Sequence, residues 1–433
     1  MNAYGWGLFP RMHAEINYPL TRTDCFNLLT KTPSLIPRGL GRSYGDSSLA
    51  SVMLDTHYLN HFINFDHKTG LLTCLAGVSL DDILQHVLPQ GWFLPVTPGT
   101  RFVSIGGAIA CDVHGKNHHL DGAFSDHITE IELLLGNGDV VLISKTQKSE
   151  LFHATCGGMG LTGIILKAII QLKPISSNRI IQTTIKAPDI DALLEHFTEY
   201  ENVPYSVAWI DCMAKRRQLG RGIITLGAHA EQNNITIKNK KKWSIPFEAP
   251  SCLLNSMSIK TFNYLCYAKQ LQKKQTTSVH MDSFFYPLDR VANWNRLYGK
   301  AGFLQYQFVL PLSTGVDSLK TMLTQITSSG LGSCLAVLKR LGRANKNMLS
   351  FPLEGYTLAL DFKNKSPVFP LLEQLDRIVL NHGGRLYLAK DARMSEQTFK
   401  ASYPSWEKFE NVREHYHAIG KFSSKQSKRL GLK

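Results

Sequence analysis

The chain has no Cys-x-x-C pair, no long apolar run, no G-x-G-x-x-G and few acids for its bases, and each absence closes a class of function. Cysteines are scattered singly at positions 25, 74, 111, 156, 212, 252, 266 and 334. That spacing argues against a disulfide scaffold or a zinc ribbon and fits reduced thiols in a cytoplasmic protein. No stretch reaches the ~18–20 apolar residues of a bilayer span; the longest candidate, around 161–172, is broken by Lys167. The opening MNAYGWGLFPRMHAE lacks the charged and apolar regions of a secretory signal. No 20–50-residue repeat is present, so a solenoid is excluded. What remains is an ordinary folded chain: 433 residues, 43% hydrophobic and 19% charged, room for two domains.

Two glycine-rich stretches stand out from that background. Pro98 to His119 reads PGTRFVSIGGAIACDVHGKNHH: small and apolar in the middle, then polar and cationic. Adjacent glycines let a flat ligand or another backbone approach closely. Three histidines in six residues also suggest a metal, but no carboxylate or cysteine stands at ligand spacing, so no metal is expected. Upstream, Pro37 to Asp46 reads PRGLGRSYGD. Glycines mixed with arginines suit a loop that cradles pyrophosphate through backbone N–H groups. Its glycines fall at 39, 41 and 45 with no sustained helix pattern behind them, which disfavours a nicotinamide Rossmann site.

The net charge of +14 asks for an anionic partner. Between Lys238 and Gln275 there are eight lysines against one acid, Glu248, interleaved with Trp243, Phe247, Met257 and Phe262. That mixture suits a membrane surface or a lipid-phosphate substrate, and equally a solvated insertion. Nucleic acid would give the same charge signal, but no nucleic-acid module is present.

RGLGRSYGD followed some fifty residues on by PGT and IGGAIACDVHGKNHH resembles the vanillyl-alcohol-oxidase superfamily of flavoproteins, with its PCMH-type FAD-binding fold. Within it, ACDVHGKNHH, GGMGLTGII (157–165), AGFLQYQFVLP (301–311) and GGRLYLAKDAR (383–393) resemble the decaprenylphosphoryl-β-D-ribose 2′-oxidase family, the FAD subunits of an epimerase that makes arabinose donors for cell walls. The resemblance covers about residues 35 to 430. It implies non-covalent FAD, a polyprenyl-phosphate sugar substrate, an NADH-dependent short-chain reductase that completes epimerisation, a quinone-type electron acceptor, and a cytoplasmic protein in peripheral contact with the membrane. An oxygen-using aldonolactone oxidase is the rival activity. A lipid- or nucleic-acid-binding protein without FAD is the rival of another class.

The secondary-structure grammar is consistent with that fold. Leu71–Gly77 reads as a strand, and Ser79 with Asp82 reads as a capping box opening a helix. Asn137-Gly138 joins two strands as a hairpin. From about 180 the pattern becomes strand, helix, strand, strand. After the basic insertion it runs β-α-β-β-α-β: Gln305–Leu310, Val316–Ser328, Cys334–Leu338, Tyr356–Phe362, Val368–Asn381 and Arg385–Ala389. The expected class is α+β: a PCMH-type FAD-binding domain over 1–178, an antiparallel-sheet substrate domain with helices on one face over 179–384, carrying an insertion at about 238–275, and a segment 385–433 returning to the FAD domain.

A flavin needs donors and cations at its pyrophosphate, small residues against its ring and dipoles near its reactive edge. Arg38, Gly39, Leu40, Gly41, Arg42, Ser43, Tyr44, Gly45 and Asp46 are expected to supply the first. Gly99, Ser104, Ile105, Gly106, Gly107, Cys111, Asp112, Val113, His114 and Gly115 are expected to supply the second. The resemblance adds Gly160, Thr162, Gly163 and Ile164 on the adenine side and Tyr387 at the ring. Oxidising an alcohol also requires a group that takes the hydroxyl proton. The resemblance assigns that to Lys390, with His114 beside it, and places Gln305, Gln307 and Lys339 facing the flavin. Tyr44, Ala359 and Lys390 are expected with them at the substrate, and Lys116 either holds a phosphate or the flavin edge or forms a salt bridge. Gln305 and Gln307 lie two apart, so on a strand they share a face. Mycobacterial members carry cysteine at the position of Ala359 and asparagine at that of Thr357, so this site is smaller and less polar.

Overall fold

In a computed structural model of the protein, residues 1–231, 235, 243–250 and 253–433 are described. Lysines 238 and 240–242 of the basic segment lie outside the described residues.

The first lobe is built on a three-stranded and a five-stranded sheet, beside two short strand pairs, Asn2–Tyr4 with Arg11–His13 and Trp92–Phe93 with Lys173–Pro174. Glu15–Asn17 and Ile36–Arg38 flank Val52–Asp55 in a parallel sheet of three. The second is antiparallel, in the order Val140–Ile143, Ile128–Leu134, Ile164–Gln171, Leu71–Leu75, Phe62–Asp66. Its hairpin turns at Asn137-Gly138, where Gly138 has φ +94°, a conformation that a β-carbon disfavours. Helix Leu80–Val87 starts in the expected capping box, Ser79 Oγ accepting from the Asp82 N–H. Its buried Leu80, Ile83, Leu84 and Val87 form one stripe facing the core.

The eight-stranded antiparallel sheet is the frame of the site. Its order is Lys274–His280, Arg179–Ala187, Gly222–His229, Tyr205–Ile210, Ala336–Leu341, Gly355–Lys363, Phe303–Pro311, Arg385–Leu386. Helices Leu312–Ser329 and Val368–Asn381 cover one face, the second through Asp376, which accepts from the Tyr306 hydroxyl at 3.1 Å. Tyr306 therefore points to the helices, and Gln305 and Gln307 on either side of it point away.

Two expectations are corrected. Arg385–Ala389 is a strand only as far as Leu386; from Tyr387 the chain turns, with the Lys390 and Asp391 N–H groups both donating to the Tyr387 carbonyl. The small residues of Ile105–Ala110 suit a loop lying along a ligand, yet they form a short helix. Ser104 caps it by accepting from the Gly107 N–H, and Gly106 packs close to Ala76, which outweighs the low helix propensity of two glycines.

The C-terminal tail packs on the first lobe. Leu35 bridges Phe422, and Arg429 donates to both oxygens of the buried Asp46 and to Asp391. Among the described residues, no helix is long and apolar enough to cross a membrane.

Candidate active site

A cavity of about 550 Å³ lies between the first lobe and the free face of the eight-stranded sheet. The loop from Arg38 to Tyr44 forms one wall; Gly99, Ser104, Gly106, Gly107, Cys111, Val113 and His114 form a second. Strand register builds the third. Gln307 and Val337 both face Ala359 across the ladder, and Lys339 faces Thr357, so alternation brings Gln305, Gln307, Val337, Lys339 and Ala359 to one surface. The turn after the last strand adds Tyr387 and Lys390.

Several polar side chains there are held. The Gln307 amide nitrogen donates to His114 Nε2 at 3.1 Å and to Thr357 Oγ1 at 3.2 Å, which leaves the imidazole proton on Nδ1. His114 packs beside the stacked rings of Phe351 and Tyr387, and burial, with Lys339 nearby, holds it well below the usual histidine range and therefore neutral. Tyr387 donates its hydroxyl to the Cys111 carbonyl at 3.0 Å. Lys390 Nζ stands 3.8 Å from the centre of the Tyr44 ring. Burial brings the Lys390 ammonium down to about 8, against the opposing pull of Asp361. Lys339 is brought down to about 7, by burial first and then by Lys390.

The empty-sided glycines and one orphan cation test the fit of a flavin nucleotide. A β-carbon on Gly99 would meet nothing within 4 Å, and one on Gly107 would meet only Ser104 Oγ at 3.2 Å, so both open onto free space. Arg38 donates one nitrogen to the Tyr4 carbonyl, while its Nη1 is buried without a partner. A buried guanidinium nitrogen left unpaired is costly, and an anion would satisfy it. Arg42 lies 4.6 Å over the Trp6 ring at the same wall. These residues fit a pyrophosphate and a flat ring.

Among known proteins, the family profile described as an FAD binding domain matches residues 29–144. The decaprenylphosphoryl-β-D-ribose oxidase of Mycolicibacterium smegmatis is 38% identical over 413 residues, 92% of this chain and 89% of that protein. The chain belongs to the decaprenylphosphoryl-β-D-ribose oxidase family. It is an FAD-dependent oxidoreductase, and its cofactor is FAD. An uncharacterised protein of Streptomyces coelicolor is 28% identical over 82% of this chain and 100% of its own length. A putative D-arabinono-1,4-lactone oxidase of Neurospora crassa is 31% identical over only 32% of the chain and 25% of that protein.

Several residues expected at the site of this oxidase lie elsewhere. Asp46 is bound by Arg429, and Gly45 lies against the Asp391 backbone, where a β-carbon has no room; both tie the tail to the loop. Asp112 turns from the cavity, its carboxylate accepting from Ser125 N, Asn345, Asn347 and Ser350 at 2.6–3.0 Å. Gly115 packs against Thr97 and Asn117. Ile105 belongs to the core, and Thr162 bonds Thr155 at 3.0 Å. Strand alternation sends Ile164 into a second small core and Ile165, with Gly160 and Gly163, to the cavity. Lys116 is not brought to the cavity: Nζ donates to the Phe284 carbonyl and lies 4.3 Å over that ring. The three histidines diverge, His118 accepting from Gly342 N and His119 donating to the Val203 carbonyl.

Sequence reasoning missed Trp6 and the lip Leu288–Trp294, which sit in no motif, and Met159, which lies inside GGMGLTGII but is neither small nor polar. It also missed Asp361, buried beside Gln305 on the same face as the wall, although that residue follows Ala359 at the same two-residue spacing that was used for the glutamines.

Proposed function

We propose that the chain oxidises the C2 hydroxyl of a polyprenylphosphoryl-β-D-ribose to the 2-keto sugar, the first half of epimerisation to an arabinose donor. The observation that carries this reading is Lys390, half-buried at the cavity beside two amides and a second lysine, in a relative of the Mycolicibacterium oxidase. FAD, when bound, would supply the hydride acceptor for the sugar carbon. The chain supplies the rest. Arg38 and Arg42 would hold the pyrophosphate, and the open faces of Gly99 and Gly107 leave room for the ring. Attachment is non-covalent: burial pushes the Cys111 thiol up to about 11, so it stays protonated and a weak nucleophile.

Lys390, neutral in part near pH 8, takes the proton of the C2 hydroxyl: the O–H bond breaks and an N–H bond forms on Nζ. Gln305 and Gln307 bond the sugar hydroxyls, Lys339 holds the phosphate, and Tyr44 and Ala359 shape the pocket. His114 keeps the Gln307 amide aimed.

In this reading residues 1–178 and 385–433 form the cofactor domain and 179–384 the substrate domain. Exposed apolar residues at the cavity lip support peripheral contact with the cytoplasmic face of a membrane. Trp243–Ser244 pairs with Val291–Ala292, which lines the cavity, and Trp243 and Phe247 are 81% and 70% exposed. Wet aromatic rings beside a lysine-rich segment suit an anionic lipid surface. A separate NADH-dependent short-chain reductase consumes the ketone, and a quinone-type acceptor reoxidises the flavin.

Product analysis tests the reaction. With an artificial acceptor and polyprenylphosphoryl-ribose in detergent, borodeuteride trapping followed by mass spectrometry should place one deuterium at C2. Deuterium at another carbon, or none, would reject the assignment.

A further inference from the structure

We infer that Asp361 is a positioning residue for this reaction: a buried carboxylate that holds Gln305 and balances the positive charge that Lys390 takes on with the substrate's proton. The inference rests on Lys390 as the proton acceptor. Asp361 is 1% exposed and sits opposite Gln305 in the strand register, two residues past Ala359 and on the same face. Its Oδ1 accepts from Gln305 Nε2 at 2.6 Å, and Oδ2 from the Tyr298 hydroxyl at 3.5 Å. Its backbone N–H donates to Ser333 Oγ at 3.0 Å, which pins the strand at that point. Gln305, Tyr44 and Lys390 line the same cavity, and Lys390 stands over the Tyr44 ring.

No arginine, lysine or histidine forms an ion pair with Asp361 within 4.0 Å among the described residues, yet buried carboxylates are ordinarily paired. The cation whose charge reaches it is Lys390. The other titratable groups facing Asp361 are Tyr44, Tyr298 and Cys334. Those facing Lys390 are Cys111, Lys339 and His114. An ammonium created beside Lys339, in a pocket with neutral His114, is opposed by burial and by like charge. Asp361 is the group that offsets both. Burial raises its carboxyl to about 7, against the Gln305 bond and Lys390, so it is charged in the range where Lys390 gives up its proton.

Competitive acetylation of Lys390 with acetic anhydride, followed by mass spectrometry across pH, reads this coupling in the FAD-loaded protein without substrate. The parental midpoint is expected near 8. Asp361→Asn should lower it by ~1 unit, because removing a nearby opposite charge disfavours the ammonium, and Asp361→Glu should restore it in part. Flavin reduction by substrate should slow ~10-fold in Asp361→Asn at the plateau of its pH profile, with the oxidised flavin spectrum unchanged. Should Asp361→Asn fail to load flavin, Gln305→Leu is read instead. Loss of that donor makes the carboxylate harder to ionise, so the midpoint should move the same way by less. An unmoved midpoint in whichever variant loads flavin overturns the inference. Since acetylation needs no substrate, a wrong sugar would leave that result standing.

Discussion

The eight-stranded sheet is two copies of one design with opposite fates. Each half runs strand, helix, strand, strand, helix, strand, and each places its strands in the order fourth, first, third, second, so the second strands meet at Ala208–Trp209 and Val337–Leu338. In the second half, the face away from the helices is the cavity wall with Gln305, Gln307, Lys339 and Ala359. In the first half, the equivalent face is plugged. Phe284 and Phe285 pack on Tyr205 with ring centres 6.1 and 4.8 Å apart, Gly227 makes room for Phe284, and no residue of the first-half strands lines the cavity. Topology supplies two equivalent faces; aromatic filling decides which one can hold a ligand.

The largest effect should come from closing the open face from the other side. Gly107→Val meets only Ser104 Oγ at 3.2 Å, so the protein should fold, yet its new methyl groups occupy the space assigned to the ring. The purified variant should be colourless; full flavin occupancy would mean that the ring lies elsewhere.

That glycine was legible in the sequence because small residues beside a basic loop have few other uses. Other parts of the same motifs were not. Gly45 and Asp46 serve a tail that begins hundreds of residues later, Arg429 lying 383 positions from Asp46, and no local pattern reports such a contact. The second half of the sheet was readable from its β-α-β-β-α-β pattern, whereas its pairing with the first half was not, since edge-to-edge joining leaves no periodic trace. Lys116 looked like a ligand-binding lysine beside His114. The aromatic rings that hold it come from the Met281–Phe285 helix, which carries no motif.

Next in size is Lys390. Lys390→Ala should keep FAD and fold but slow flavin reduction by at least ~100-fold, since general bases contribute ~10²–10⁴. Lys390→Arg should not rescue it, because a guanidinium stays protonated. In the parent, reduction should be slow at acid pH, rise through about 8 as the amine loses its proton, and then level. Stopped-flow traces across pH check both outcomes; a flat profile would make the lysine structural.

Smaller effects separate the two halves directly. Gln307→Leu, in the open half, should slow reduction roughly 10-fold by removing a sugar contact and freeing His114. Phe284→Ala, in the plugged half, should cost stability, about 3–5 kcal/mol by urea unfolding, and leave the reduction rate unchanged. Equal kinetic effects from both would erase the distinction. Last, Trp243→Ser with Phe247→Ser should weaken binding to anionic vesicles without altering reduction in detergent. The binding itself should fall with salt as the screening length drops from ~10 Å at 0.1 M to ~3 Å at 1 M.

The central claim is that the open half faces a lipid-linked pentose, and anaerobic flavin bleaching tests it most directly. Polyprenylphosphoryl-ribose in detergent should bleach the flavin within seconds, and soluble aldonolactones should leave it yellow. Rapid bleaching by a lactone in plain buffer, with peroxide formed on admitting air and no response to the lipid-linked sugar, would contradict the account.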